Sequence, residues 1–293
     1  MNINSKRIQA LSGRYFKQIV SIVLGAIIIC IGFIAWASPA QADDYFKCFE
    51  TGSNPTVCPE PVLVNSCFEA PRSGQPRCCE GTNKDYDISV SDQDSDVTVL
   101  AIHGGGIEAN TSKISQDLAT PRKWNRYTFS AHGRSQCLLG KSNFKVLHIT
   151  STNFNHQTAL DLVKAHPKSI SIHGYIKERE YPEGVICVGG KNQDQIKAFI
   201  SHVNANSSTF TDQGGYNLQP VNAPEARSGF CVDRKPYLKG TSKRNIVNKN
   251  SEDKGLQLEF SPTMREDLVD KTEQRYETLR NIIYGAIDQA MRA

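Results

Sequence analysis

Once the first 42 residues are set aside, this chain has no excess charge of either sign. Lys6, Arg7, Arg14 and Lys17 are the only charged residues before Asp43. They account for the formal +4, and 30 Lys+Arg face 30 Asp+Glu in the rest. A balanced body offers no electrostatic footprint for nucleic acid, and RNP, zinc-finger and helix-turn-helix signatures are missing as well. Neither GxGxxG nor the Walker pattern occurs, which removes the simplest phosphate-cradling readings. Nine cysteines include no CxxC pair, so their spacing argues against a zinc knuckle. Internal repeats and low-complexity runs are absent too.

What is present begins with a targeting pattern. The four basic residues precede an uncharged run from Ile19 to Ala37, followed by Pro39 and the small-residue sequence Ala40-Gln41-Ala42. This reads as a secretory signal over residues 1–42, cleaved before Asp43; left uncleaved, the run is long enough to anchor the chain in a bilayer. Either way the expected location is exported, secreted or periplasmic, where disulfides persist. Cys48, Cys58, Cys67, Cys78 and Cys79 crowd residues 43–83, a stretch rich in Cys, Pro, Gly and Asn with few aliphatics. Such a segment lacks a core of its own and reads as a disulfide-bonded arm. Cys137, Cys187 and Cys231 lie in the body, so full pairing requires an odd number of bridges between arm and body.

Residues 84–293 alternate short apolar runs with amphipathic segments, the texture of an α/β domain with a mixed, mostly parallel sheet flanked by helices. Expected strands are Val97–Ile102, Tyr127–Ser130, Phe144–Thr150, Ser169–His173, Val185–Val188 and Leu256–Phe260. Expected helices are Gln157–Ala165 with Asn155 as N-cap, Gln193–Asn204 with Ile196, Phe199, Ile200 and Val203 on one stripe, and a long carboxyl-terminal helix after Ser261-Pro262.

The chemistry-bearing stretch is Val97-Thr-Val-Leu-Ala-Ile-His103-Gly-Gly-Gly-Ile-Glu108. An apolar strand delivers a histidine into three glycines and then a carboxylate at the first turn of a helix. His103 and Glu108 suit zinc, which takes both ligand types and in catalytic sites keeps an open position. The same residues also fit a plain strand-to-helix turn with a solvated histidine. Ser169-Ile-Ser-Ile-His173-Gly174 repeats the pattern 70 residues on, so parallel strands can bring both histidines to one sheet edge. His132 and His148 are reserve candidates. Glu259, on the apolar run Leu256–Phe260, either faces solvent by alternation or lines a polar site as a general base. Arg234, Lys235, Lys239, Lys243, Arg244 and Lys249 occur without an acid among residues 234–249. That run is a solvated loop or faces an anionic substrate, with Asn245 and Asn248 as amide donors inside it.

Taken in order, His103-Gly-Gly-Gly-Ile-Glu108, Leu147-His-Ile-Thr-Ser-Thr152, Ser171-Ile-His-Gly174, Gly189-Gly190 and Gly255-Leu-Gln-Leu-Glu259 resemble the poly-γ-glutamate hydrolase family over roughly residues 85–290. The resemblance implies a zinc-carboxypeptidase-like fold and hydrolysis of γ-glutamyl amide bonds. It implies Zn2+ held by His103, Glu108 and His173, and Glu259 as general base. It gives Asn245 and Asn248 a substrate role and asks for an oxyanion arginine, Arg244 or Arg126. The implied partner is an anionic γ-linked polyglutamate; an amidase acting on peptidoglycan peptides and a non-catalytic surface-binding module are the alternatives. The cysteine-rich arm departs from the family core, as does His132, where an acidic residue is expected.

Overall fold

The computed structural model describes residues 86–132, 147–176, 183–233 and 238–293. The segments read as signal or anchor (1–42) and cysteine-rich arm (43–83) lie outside the described residues. Seven strands form one sheet: β1 (Tyr86–Ser91), β2 (Val97–Gly105), β3 (Asn125–Ala131), β4 (Lys168–Gly174), β5 (Val185–Gly190), β6 (Gln219–Asn222) and β7 (Leu256–Phe260). Their order is β1-β3-β2-β4-β7-β5-β6. The β2–β3, β2–β4, β4–β7 and β5–β6 pairs are parallel, and β1–β3 and β5–β7 are antiparallel. The sheet is thus mixed and mostly parallel, as the alternating texture implied.

Among the described residues the longer helices are α1 (Thr111–Arg122), α2 (Gln157–Ala165), α3 (Gln193–Thr211), α4 (Pro262–Val269) and α5 (Gln274–Arg292). Strand alternation divides the core between two faces. Val99, Ile170, Ile172, Leu256 and Leu258 pack with Ile114 and Leu118 of α1, Phe199 of α3, Met264 of α4 and Ile283 of α5. Leu100, Ile102, Tyr127 and Phe129 pack on the other face with Leu147, Phe154, Val163 and Ile246. Each such side chain, buried completely, contributes roughly 1.5–3 kcal/mol of apolar transfer.

Register then fixes where polar side chains meet. In β4 and β7, alternation that sends Ile172 and Leu258 to one face sends His173 and Glu259 to the other, and the two stand directly opposite each other. Cys187 of antiparallel β5 is the next residue across, opposite Glu259. In β2 the register with β3 shifts between Ala101 and Gly104. That irregularity re-aims His103, which strict alternation would have sent to the same side as Val97 and Val99.

Several expectations need correcting. Of Phe144–Thr150, the described residues 147–150 form no strand: Ile149 N bonds to Leu147 O at 2.9 Å, and the Ile149 carbonyl accepts from His103. Backbone groups spent on a turn and a side chain are lost to a ladder. Helix α2 is capped at His156, with no side-chain cap bond, rather than at Asn155. The carboxyl-terminal helix is two helices, broken at residues 270–273; Ser261 does cap the first, accepting from Met264 N, with Pro262 at its start. Glu108 precedes α1 by three residues instead of lying in its first turn.

Cys187 and Cys231 form a disulfide across 44 residues, tying the helical turn Phe230–Asp233 to β5. By the chain-entropy argument a loop of that length contributes about 4 kcal/mol through the unfolded state. Cys187→Ala with Cys231→Ala should therefore lower the urea midpoint of unfolding and, by letting the unfolded chain expand, raise the m-value, read by circular dichroism. A midpoint unchanged from wild type would show the bond to be energetically idle.

Candidate active site

The polar cluster starts at the end of β2. Gly105 turns the chain at φ 64°, where a Cβ would collide with the Ala131 backbone. Gly106 N donates to Ala131 O at 2.8 Å and Glu108 N donates back to His103 O at 2.8 Å. This closed turn sets His103 Nδ1 2.7 Å from Glu108 Oε1. The other oxygen of Glu108 accepts from Gly174 N at 2.8 Å, so the carboxylate bridges β2 and the end of β4. His173, the residue before Gly174, places its Nδ1 3.1 Å from His103 Nδ1 and 3.4 Å from Glu108 Oε2. Outer contacts aim both rings. His103 Nε2 lies 2.7 Å from Ile149 O, and His173 Nε2 lies 2.7 Å from Ser171 Oγ and 3.3 Å from Ser151 Oγ.

This arrangement fits a divalent cation on the chemistry of its donors. A carbonyl only accepts, so Ile149 O requires the proton of His103 on Nε2, which turns a lone pair on Nδ1 toward Glu108. Burial, outweighing the attraction of Glu108, lowers the His103 imidazole to about 4, so the ring does not carry a second proton at neutral pH. Burial would raise Glu108, yet the surrounding His103, His148 and His173 hold it well below the ordinary carboxylate range. A lone pair and a carboxylate at 2.7 Å call for a cation between them. Donors about 2.0–2.1 Å from a tetrahedral zinc stand about 3.3 Å apart, close to the 3.1 and 3.4 Å separations of His173 here, with His103 and Glu108 nearer each other at 2.7 Å. The Ile149 carbonyl fixes the tautomer of His103, and the Ser171 and Ser151 hydroxyls hold the ring of His173, outer contacts of the kind that orient metal ligands.

His148 joins the cluster from the loop after residue 146. Its ring lies 4.3 Å from that of His103, and its Nε2 is 3.6 Å from Glu108 Oε1. His103, Glu108 and His148 could also hold a metal ion, their ligand atoms all lying within 4.8 Å of one another. His173 Nδ1 approaches the same two residues, 3.1 Å from His103 Nδ1 and 3.4 Å from Glu108 Oε2.

Glu259 stands beside these donors, buried, with Oε1 accepting from Gln257 Nε2 at 2.9 Å. Burial raises its carboxyl to about 7; Glu108 pushes the same way, and His173, Arg265 and Gln257 oppose. A carboxyl group poised near neutrality is suited to taking up and releasing a proton. Burial lowers His173, but its bond to Glu108 and the charges of Glu259 and Glu108 prevail and raise it. The cluster opens into a cleft of about 390 Å³, rimmed by Thr150, Ser151, Thr152, Tyr175, Ile176, residues 238–242 and Asn245.

Residues 78–289 match the profile of the poly-gamma-glutamate hydrolase family, about seven-tenths of the sequence. The chain belongs to the poly-gamma-glutamate hydrolase family. Among curated relatives, the SPbeta prophage-derived protein YoqZ of Bacillus subtilis (strain 168) is 33% identical over 183 residues, 62% of this chain and 55% of YoqZ. YndL of the same strain is 31% identical over 184 residues, 63% of this chain and 60% of YndL. The chain thus spans somewhat over half the length of these two. A solved bacteriophage poly-gamma-glutamate hydrolase shares the fold at a TM-score of 0.53 and 23% identity, covering 71% of this chain and 90% of that one. A structure of YndL in its apo, zinc-free form matches at a TM-score of 0.51 and 26% identity, covering 70% and 91%.

Within this hydrolase family frame, the structure brings together His103, Glu108, His173 and Glu259. Asn245 lines the cleft as well, but its amide is spent on Val247 N and Gln257. Asn248 is a clasp: it donates to Gly240 O and Ser242 O and accepts from Lys191 N and Gly255 N, which leaves no capacity for substrate. Arg126 is at the wrong end of the sheet. It pairs in register with Val99, four residues or about 13 Å before His103 along a parallel strand, and donates to Ser89 Oγ. Arg244 is exposed and outside the cleft lining. His132 instead pairs with Asp87 at 3.1 Å. Of the basic run, Lys239 is the lysine or arginine that lines the cleft among the described residues; Arg234 and Lys235 lie outside them.

Two participants went unread in the sequence. Arg265 of α4 is buried, donates from Nη1 to Ala109 O at 2.8 Å, and bears its charge on both Glu108 and Glu259. Gly174 admits it, since a Cβ there would collide with the guanidinium. The other is Gln257, which alternation places on the same strand face as Glu259 but to which residue type alone assigns no role.

Proposed function

We propose that this chain is an exported zinc-dependent hydrolase that cleaves γ-glutamyl amide bonds in poly-γ-glutamate. His103, Glu108 and His173 hold the metal, and Glu259 is the general base. The observation that carries this reading is the convergence of two oriented imidazole Nδ1 atoms and one carboxylate within 3.4 Å, beside a second buried carboxylate raised to about 7. Membership of the family supplies the substrate class, and the zinc-free form of the related YndL supports the choice of metal. A buried disulfide and the amino-terminal targeting pattern favour an oxidising compartment.

Bound zinc would act as a Lewis acid on the scissile carbonyl and lower the pKa of water at the site. Glu259 takes a proton from the attacking water and delivers it to the leaving amide nitrogen, which departs as the amine. Gln257 holds Oε1 of Glu259 during this exchange, leaving Oε2 as the proton-carrying atom. The Thr150–Thr152 hydroxyls and Lys239 line the cleft where the free carboxylates of a γ-linked chain would lie.

The test is to incubate the purified mature protein, residues 43–293, with poly-γ-glutamate and, separately, with peptidoglycan peptides, and to follow new amino termini and polymer length. Shortening of poly-γ-glutamate that chelation abolishes and zinc restores is the expected result; cleavage of the peptidoglycan peptides alone would overturn the substrate assignment. Lys239→Gln should raise KM for poly-γ-glutamate about five- to tenfold with kcat within twofold, and should flatten the dependence of KM on ionic strength. An unchanged KM would remove Lys239 from the binding surface.

A further inference from the structure

We infer that Asn245 and Gln257 are positioning residues that orient the carboxylate of Glu259, an inference that deepens the proposed role of Glu259 as base and rests on it. Side-chain amides are nearly symmetric in shape, so their polarity must be set by partners of fixed character. Here the series starts at a backbone N–H, which only donates. Val247 N donates to Asn245 Oδ1 at 3.1 Å, which turns Asn245 Nδ2 outward. That Nδ2 donates to Gln257 Oε1 at 2.7 Å, and Gln257 Nε2 is thereby aimed at Glu259 Oε1, 2.9 Å away. All three side chains are buried, at 3%, 4% and 6% exposure, so bulk water does not compete for these bonds.

The anchor is itself fixed on two sides. Asn245 caps the helical turn Ile246–Asn248. Ile246 N donates to Ser151 O at 3.0 Å, and Val247 O accepts from Ser169 Oγ at 2.5 Å. The series therefore runs from a turn held against β4 to the proposed base on β7. It presents Glu259 with a donor, the partner that favours the ionised carboxylate and fixes one of its two oxygens. Asn245 contributes through Gln257 and does not touch the reacting atoms.

Asn245→Asp reverses this polarity at almost constant volume. An aspartate has no donor for Gln257, whose NH2 then turns toward residue 245 and presents its carbonyl oxygen to Glu259. In the zinc-loaded mature protein, kcat for poly-γ-glutamate should fall about tenfold with KM within twofold and zinc content unchanged. The acid limb of the kcat profile should move up by about one pH unit. Gln257→Leu should do the same, and the double variant should be no worse than Gln257→Leu alone, because Asn245 acts only through Gln257. Carboxyl-carbon NMR of labelled Glu259 gives a readout independent of turnover, and its titration should move by the same amount.

A rise in KM with kcat and the acid limb unmoved would make Asn245 a substrate ligand and overturn the inference. Additive losses, or a kcat that falls only in step with thermal stability while the Glu259 titration stays put, would overturn it as well. Should the wild-type protein leave poly-γ-glutamate intact, the proposed function fails. The NMR titration of Asn245→Asp then still decides the positioning role, an unshifted carboxyl counting against it.

Discussion

Glu259→Gln should reduce kcat on poly-γ-glutamate by about 10² to 10⁴ while leaving zinc content and KM near their wild-type values. The change removes one proton site and keeps the shape. Glutamine retains a carbonyl oxygen to accept from Gln257 Nε2, so the bond at 2.9 Å and the β7 register opposite His173 and Cys187 survive. It also removes a buried carboxyl raised to about 7, so folding stability at neutral pH should not suffer. The pH profile follows with its sign. Below its pKa Glu259 is protonated and cannot take a proton from water, so activity falls toward acid. A bound cation favours the carboxylate and moves that limb below about 7. Activity within tenfold of wild type in Glu259→Gln would remove Glu259 from the proton transfer. An unchanged acid limb in such a variant would point to another group.

The second large effect concerns the metal. Glu108→Ala and His103→Ala should each abolish stoichiometric zinc, with activity reduced at least a thousandfold, on the order of the several kcal/mol that a Lewis acid contributes to such a barrier. Glu108 holds the site at both oxygens, to His103 at 2.7 Å and to Gly174 N at 2.8 Å, so its loss removes a ligand and the tie between β2 and β4. His173→Ala and His148→Ala then separate the two donor sets that share His103 and Glu108. Loss of zinc on His173→Ala with retention on His148→Ala is the expected pattern, because the His173 nitrogen stands within 3.4 Å of both shared donors. The reverse pattern would make the set of His103, Glu108 and His148 the true site. Inductively coupled plasma measurement of zinc per chain on each variant reads the outcome directly, with activity followed in parallel.

What was legible in the sequence was legible for a physical reason. His103 and His173 each end an apolar run against glycine, and a parallel sheet gathers such ends on one edge; β2 and β4 are parallel neighbours, and the two Nδ1 atoms stand 3.1 Å apart. Glu259 stood out as a carboxylate inside an apolar strand. Arg126, by contrast, stands at the start of β3, and in a parallel arrangement that is the edge opposite the site; the choice of arginine by residue type ignored strand direction. Asn245 and Asn248 read in the sequence as amide donors to substrate, yet side-chain type does not say what an amide is bonded to. Asn248 is used up by four backbone groups, and Asn245 by a backbone N–H and Gln257. Edge strands β1 and β6 escaped notice because their exposure is mixed or intermediate and their apolar pattern weak. Leu147–Thr150 looked like a strand because apolar residues there serve the core while the backbone serves His103, a division that periodicity does not report.

The most direct measurement is a crystal structure of the zinc-loaded protein with anomalous data collected across the zinc edge. The expected result is one peak, about 2.0–2.2 Å from His103 Nδ1, Glu108 and His173 Nδ1, with a fourth position open toward Glu259 and the cleft. A peak closed off by His148 as a fourth protein ligand, or no peak at this cluster in an active preparation, would contradict it.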